Sequence, residues 1–239
     1  MWLFADCFAL AVIRRPAQTE GGAARHETYA WGINDKGQLG LGHRWIVDTP
    51  ELIADLPASI IHVACGQQHA VAVSAEGQCW SWGLGVFGQL GHGTTKDCLR
   101  PQQMRSDAAT DVVQVACGSN HTVLRRRDGT LHACGHSEYG QQGVMEVDEG
   151  TEDTHIVLTP QRIRGMPAKG EGSVATAVAC GWLHTMVLTR DGALHSFGWG
   201  SAGVLGHRTS GMDSGFAWRG LGEVGRATQT VSILLNVQT

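Results

Sequence analysis

Val63-Ala64-Cys65-Gly66-Gln67-Gln68-His69 decides the fold, because it returns twice. Val115-Ala116-Cys117-Gly118-Ser119-Asn120-His121 and Val178-Ala179-Cys180-Gly181-Trp182-Leu183-His184 repeat its order, with the cysteines 52 and then 63 positions apart. A fixed period of this size is the signature of stacked supersecondary units, and it outranks any local reading. Working outward, a second block keeps step with the first. Trp31-Gly32, Trp82-Gly83, Cys134-Gly135 and Phe197-Gly198 are each followed five residues later by a Gly-x-x-Gly loop: Gly37-Gln38-Leu39-Gly40, Gly88-Gln89-Leu90-Gly91, Gly140-Gln141-Gln142-Gly143 and Gly203-Val204-Leu205-Gly206. The longer third interval comes from two loop insertions. One adds seven residues between Gly143 and Pro160, and the other adds four between Pro160 and Cys180.

Each Cys-Gly-x-x-His is followed by a short apolar run, a tight turn at Glu76-Gly77, Asp128-Gly129 or Asp191-Gly192, and a second short run. Four to five residues is strand length, and Asp-Gly between two such runs predicts a hairpin, since its turn needs positive φ. A hairpin this small cannot bury its apolar face alone, but packing equivalent units around an axis does so. The glycine loops lack the Lys-Ser or Lys-Thr and the helix start of a phosphate loop, so they read as structural.

These blocks resemble the regulator of chromosome condensation repeat family over about residues 29–207. The shared pattern is aromatic-Gly, Gly-Gln-Leu-Gly, a Pro before a strand, Ala-Cys-Gly-x-x-His and Asp-Gly. The resemblance implies an all-β chain, a β-propeller built of four-stranded blades, seven in a full ring. It also implies protein binding, guanine-nucleotide exchange on a Ran-like small GTPase, or the substrate-binding part of a larger ubiquitin-ligase-type protein. The expected organisation is one repeat domain with three complete repeats, 32–82, 83–134 and 135–198, and partial units at 1–31 and 199–239. That is an incomplete ring, either a fragment or an arc open to self-association at its edges. Phe8 to Ile13 reads as a worn first copy of the hairpin returning at Tyr29-Ala30-Trp31, with a targeting segment as the alternative. Ser232 to Val237 reads as one further strand.

Composition narrows the function. The 239 residues carry a formal charge of −4, 17% charged and 42% hydrophobic residues, and 33 glycines. No basic excess points to nucleic acid, and Arg125-Arg126-Arg127 reads as a solvated hairpin end. No apolar run is long enough to span a membrane as a helix. Seven widely spaced cysteines fit reduced thiols in the cytoplasm or nucleus.

The repeated Gly32, Gly83, Gly135, Gly198, Cys65, Cys117, Cys180, His69, His121 and His184 are assigned as structural positions. Each Cys-x-x-x-His pair belongs to a separate unit, whereas zinc needs four converging ligands, so neither metal nor cofactor is expected. Gly181-Trp182-Leu183-His184-Thr185 is similar to the Gly-Trp-Arg-His-Thr motif of a plant photoreceptor of that family, with Leu183 in place of Arg. Trp31 and Trp82 read as packing residues at strand ends. Ser74, Ser81 and Ser196 have no nucleophile–base context, so no enzyme is expected. The longer insertion gathers Glu146, Asp148, Glu149, Glu152 and Asp153, which suits a loop that attracts a basic protein surface.

Overall fold

The computed structural model describes residues 2–4, 7–17, 24–144, 155–163, 174–200, 203–206 and 222–226. Among these residues sixteen strands fall into four antiparallel sheets of four. The first holds β1 (Trp2–Phe4), β2 (Phe8–Arg15), β3 (Arg25–Gly32) and β4 (Val47–Leu52). The second holds β5 (Ile60–Cys65), β6 (His69–Ser74), β7 (Cys79–Gly83) and β8 (Cys98–Gln103). The third holds β9 (Val112–Cys117), β10 (His121–Arg126), β11 (Leu131–His136) and β12 (Ile156–Arg162). The fourth holds β13 (Ala175–Cys180), β14 (His184–Thr189), β15 (Ala193–Gly198) and β16 (Gly222–Arg226). Within each sheet the strands follow chain order. The sheets pack in sequence, with β2 against β5, β5 against β9 and β9 against β13. The first strands are therefore innermost. The chain is an incomplete β-propeller ring.

The three complete repeats and the partial units at both ends together make up these four sheets. Repeat and sheet are out of phase. A sequence repeat such as Gly32–Trp82 runs from the end of β3 through β4, β5 and β6 into β7. Three repeats thus supply β4 to β15, and the terminal units add the first three strands and the last one. Phe8 pairs with Gly32 as His69 pairs with Gly83, so the N-terminal hairpin keeps the register of the others. Ala5 and Asp6, also read into this copy, and Ser232 to Val237 lie outside the described residues.

The proline expected before a strand sits inside one instead. Pro50, Pro101 and Pro160 fall within β4, β8 and β12. These are the outermost strands, where one side of the backbone needs no ladder partner. The pairing of each with its neighbour shifts register beside the proline. The outer strands β4 and β8 are also largely solvent-facing, in contrast to the wholly buried β6.

Three apolar clusters lie between neighbouring sheets. Phe8, Leu10 and Val12 meet Val63, Ala70 and Trp82 between the first and second. Val71 and Val73 meet Val112, Val115 and Leu124 between the second and third. Val123 meets Val178, Val187 and Phe197 between the third and fourth. Each sheet thus buries its apolar second-strand face on the next one, as a stacked repeat must. Arg125 departs from the solvated reading. It lies in β10, half-buried, and its Nε donates to Gln114 Oε1 at 2.9 Å.

Candidate interaction face and the joints that hold it

The recurrent histidines join one sheet to the next. His69 Nε2 lies 3.0 Å from Thr122 Oγ1, and His121 Nε2 lies 3.1 Å from Thr185 Oγ1. All four residues are fully buried. Each threonine hydroxyl donates its single proton to a backbone carbonyl, Thr122 to Gln89 O at 2.8 Å and Thr185 to Gln141 O at 2.7 Å. The histidine must therefore donate to the threonine oxygen, which fixes the proton on Nε2 and leaves Nδ1 as a bare, buried acceptor. Desolvation of the charged form pushes both imidazoles down to about 3. Burial likewise pushes the thiols of Cys65, Cys117 and Cys180 up. Burial keeps the thiols protonated, and the Nε2 of His69 and His121 is engaged by a threonine of the next sheet. Among the described residues no cluster of three or more His, Cys, Asp or Glu side chains could hold a metal ion.

The spacing within Cys-Gly-x-x-His has a steric cause. The imidazole of His69 folds back over Gly66, where any Cβ would strike the ring, and His121 and His184 do the same over Gly118 and Gly181. Gly83 answers a different demand. It has φ +99°, and a Cβ there would strike Gln68 O and the His69 backbone.

The loop glutamines are what the sequence reading missed. Gln38, Gln89 and Gln141 are buried, and the Oε1 of each accepts from a backbone N–H two residues earlier at 2.9 Å. That bond turns the main-chain carbonyl outward to the next sheet. Gln38 O takes Trp82 Nε1–H at 2.8 Å, and the other two take the threonine hydroxyls. The recurrence of Gln at one place in three loops was the available signal. Trp82 itself is fully buried.

Among the described residues one Ser–His contact lies outside the joints. Ser81 Oγ donates to Leu90 O at 2.7 Å and lies 2.9 Å from His92 Nε2. The hydroxyl proton is already committed, so His92 donates to Ser81 and is not placed as its base. Ser196 likewise donates to Leu205 O at 2.7 Å.

The joints leave the two ends of the arc different in character. At one end the turn between first and second strands bonds the segment leaving the third strand. Ile33 N donates to Cys7 O, Leu84 N to Gln68 O, His136 N to Asn120 O and Trp199 N to Leu183 O, each at 2.8 Å. Among the described residues, six of the eight exposed large apolar side chains lie at this end: Ile33, Trp45, Ile46, Val86, Trp182 and Trp199. Leu52 and Ile61 flank the β4–β5 connection at the opposite end. Aromatic pairs cross between sheets at the apolar end. Phe87 and His136 have centroids 5.0 Å apart, and Tyr139 and Trp199 are 6.5 Å apart. Trp45, 75% exposed, stacks on His43.

The acidic residues Glu146, Asp148, Glu149, Glu152 and Asp153 lie outside the described residues. Their segment connects Val144 to His155, between β11 and β12.

Comparison with known proteins agrees with this architecture. The regulator of chromosome condensation (RCC1) repeat pattern matches residues 26–73, 76–125 and 128–188. The ultraviolet-B receptor UVR8 of Arabidopsis thaliana is 35% identical over 187 residues, covering 76% of this chain and 39% of the receptor. The RCC2 protein homolog of Danio rerio is 32% identical, covering 75% of this chain and 39% of the homolog. The human E3 ubiquitin-protein ligase HERC2 is 32% identical over 194 residues, which cover 78% of this chain and 4% of the ligase. This chain thus spans about two fifths or less of these relatives. Among solved structures, Prp20p of Saccharomyces cerevisiae superposes with a TM-score of 0.68 at 21% identity, over 86% of this chain and 46% of Prp20p. On its three matched repeats and its four sheets, the chain belongs to the regulator of chromosome condensation (RCC1) repeat family.

Proposed function

We propose that this chain is a non-catalytic binding module that recognises another protein through the apolar loop end of the arc. The observation that carries this reading is the gathering of six exposed large apolar side chains at that end. Exposed apolar surface collected on one face marks an interaction site far better than the same residues scattered. The acidic segment 146–153 leaves and rejoins the fold between β11 and β12 on the same side, and it supplies attraction for a partner with a basic surface. Cytoplasm or nucleus suits the seven free cysteines.

The test is affinity capture from a native extract with three forms of the chain. A reproducible partner is expected to survive Leu52→Ser and Ile61→Ser at the opposite end. It should be lost with Trp45→Ser and Ile46→Ser together, and its binding should depend less on salt when 145–154 is replaced by a Gly-Ser linker. A partner that follows the opposite-end variants instead overturns the reading. A small GTPase is the second candidate partner. It is favoured by likeness of fold to Prp20p, whose structure is described together with its binding to Gsp1p and histones. Release of fluorescent GDP from a Ran-type GTPase, unchanged by micromolar chain, would remove that alternative.

A further inference from the structure

We propose that the far face of the fourth sheet docks a further sheet of the same repeat, carried by another chain, whose second strand has threonine at its second position. The inference is independent of the loop end and concerns the flank of the arc.

Burial marks the face. In β6, covered on both sides, all six residues are buried. In β14 burial alternates. Thr185 and Val187 are buried toward the third sheet, whereas His184, Met186 and Leu188 are half-buried. Their counterparts in β6 are His69, Val71 and Val73, which are fully buried against the third sheet. An apolar strip ending in a histidine is thus left where the other sheets have a neighbour.

Two polar groups say what the neighbour must bring. In each His–Thr joint one threonine hydroxyl accepts from the histidine and donates to a loop carbonyl, Gln89 O or Gln141 O. His184 folds over Gly181 as His69 does over Gly66. Among the described residues its imidazole has no hydrogen-bond partner. Val204 holds the loop position of Gln89 and Gln141. Its turn is the same, with Gly206 N donating to Gly203 O at 3.0 Å as Gly91 N does to Gly88 O. An imidazole N–H and a carbonyl at these two places suit a single hydroxyl, which accepts from one and donates to the other. Among the described second strands only Thr122 and Thr185 hold a threonine at that position, and both are already engaged.

The chain's own first sheet does not fit. Its second strand has Ala9 at the threonine position, paired in register with Trp31 as Ala70 is with Trp82. Ala70 and Trp82 share a cluster with Phe8 of the preceding sheet. The far side of the first sheet therefore asks for phenylalanine, and the far side of the fourth for threonine. Two copies joined head to tail would bury His184 without an acceptor, which is costly for a polar group. The flanks disfavour a second copy and admit a sheet of different sequence.

The experiment measures the mass of the whole chain in solution by analytical ultracentrifugation. Wild type, with His184 against Ala9, is expected to stay monomeric at high micromolar concentration. Ala9→Thr supplies the missing hydroxyl, and His184→Phe recreates the pair between first and second sheets. Each should self-associate about tenfold or more tightly than wild type. The double variant Ala9→Thr/His184→Phe is mismatched again and should be monomeric. Mixed with wild type it should form a one-to-one complex, because both contacts then match. Circular dichroism should show the wild-type fold throughout, and Ala9→Thr alone decides if His184→Phe does not fold. Wild type that associates as tightly as Ala9→Thr would assign the face to a second copy and overturn the proposal. Absence of association in the single variants and in the mixture would also overturn it, leaving the face to a segment of the chain itself.

Discussion

His69 Nε2 donates to Thr122 Oγ1 across 3.0 Å, from the second strand of one sheet to the second strand of the next. The corresponding positions in the first joint are Phe8 and Ala70, both buried in the apolar cluster there. The chain therefore uses two matched pairs at one location, a polar His–Thr pair and an apolar Phe–Ala pair. Thr122→Val should leave His69 Nε2–H without a partner in the interior and Gln89 O with only the weak Cys134 thiol donor at 3.6 Å. Each unmet buried group costs about 1–3 kcal/mol. A fall of about 2–4 kcal/mol in unfolding free energy is expected by urea titration. The double variant His69→Phe with Thr122→Ala, built on the chain's own apolar pair, should recover at least half of that loss.

The same histidines predict an acid sensitivity with a definite window. The folded imidazoles of His69 and His121 sit at about 3, against an ordinary value of 6.5. Between those values the unfolded chain binds protons that the folded chain refuses, so stability falls as pH drops from 6.5 toward 3. Each histidine adds up to about 1.4 kcal/mol per pH unit. The lowered carboxylates Glu27, Glu76 and Asp128 contribute only near and below their ordinary values of 4.5, 4.5 and 3.8. From pH 6.5 to 5 the slope therefore belongs to histidine. Urea midpoints across that range should fall less steeply in the His69→Phe/Thr122→Ala protein, and an identical slope would contradict the assignment.

Two glycines of positive φ separate conformational strain from collision. Gly203 has φ +75° with open space where a Cβ would stand, while Gly83 has φ +99° and faces Gln68 O. Gly203→Ala should cost only the left-handed penalty, about 1–2 kcal/mol. Gly83→Ala should cost about 3 kcal/mol or more, because backbone must move as well. Thermal melts would show the difference as roughly 2–4 °C for each kcal/mol.

Trp82→Phe keeps the buried ring but removes the Nε1–H that reaches Gln38 O. The expected loss is about 1–2 kcal/mol, with the effect confined to the joint between first and second sheets. Hydrogen exchange should speed up in β2, β5 and β7, while β13 to β15 keep wild-type protection.

Much of this architecture is legible in the residues. Asp128-Gly129 and Asp191-Gly192 announce hairpins because their turns are local, and Cys-Gly-x-x-His announces the joint because glycine and histidine must meet. Sheet phase was not legible. Whether the strand holding Pro50 joins the sheet before it or the one after it depends on pairing across a long loop, and Val47–Leu52 shows no buried alternation to reveal it. The threonine partners were hidden for a similar reason. Thr122 and Thr185 look like ordinary strand residues until the next sheet brings His69 and His121 onto them. The apolar loop end was invisible because Ile33, Val86 and Trp199 are far apart in the chain and share no motif.

The offset between repeat and sheet has a genetic consequence. Cutting out one whole unit, for instance 83–134, splices Trp82 near the end of β7 onto Gly135 near the end of β11. The new sheet would take three strands from one parent and its outer strand from the other, with every ladder still occupied. Unequal recombination at these boundaries therefore shortens the arc by one sheet without leaving a torn edge, and tandem duplication lengthens it by the same route.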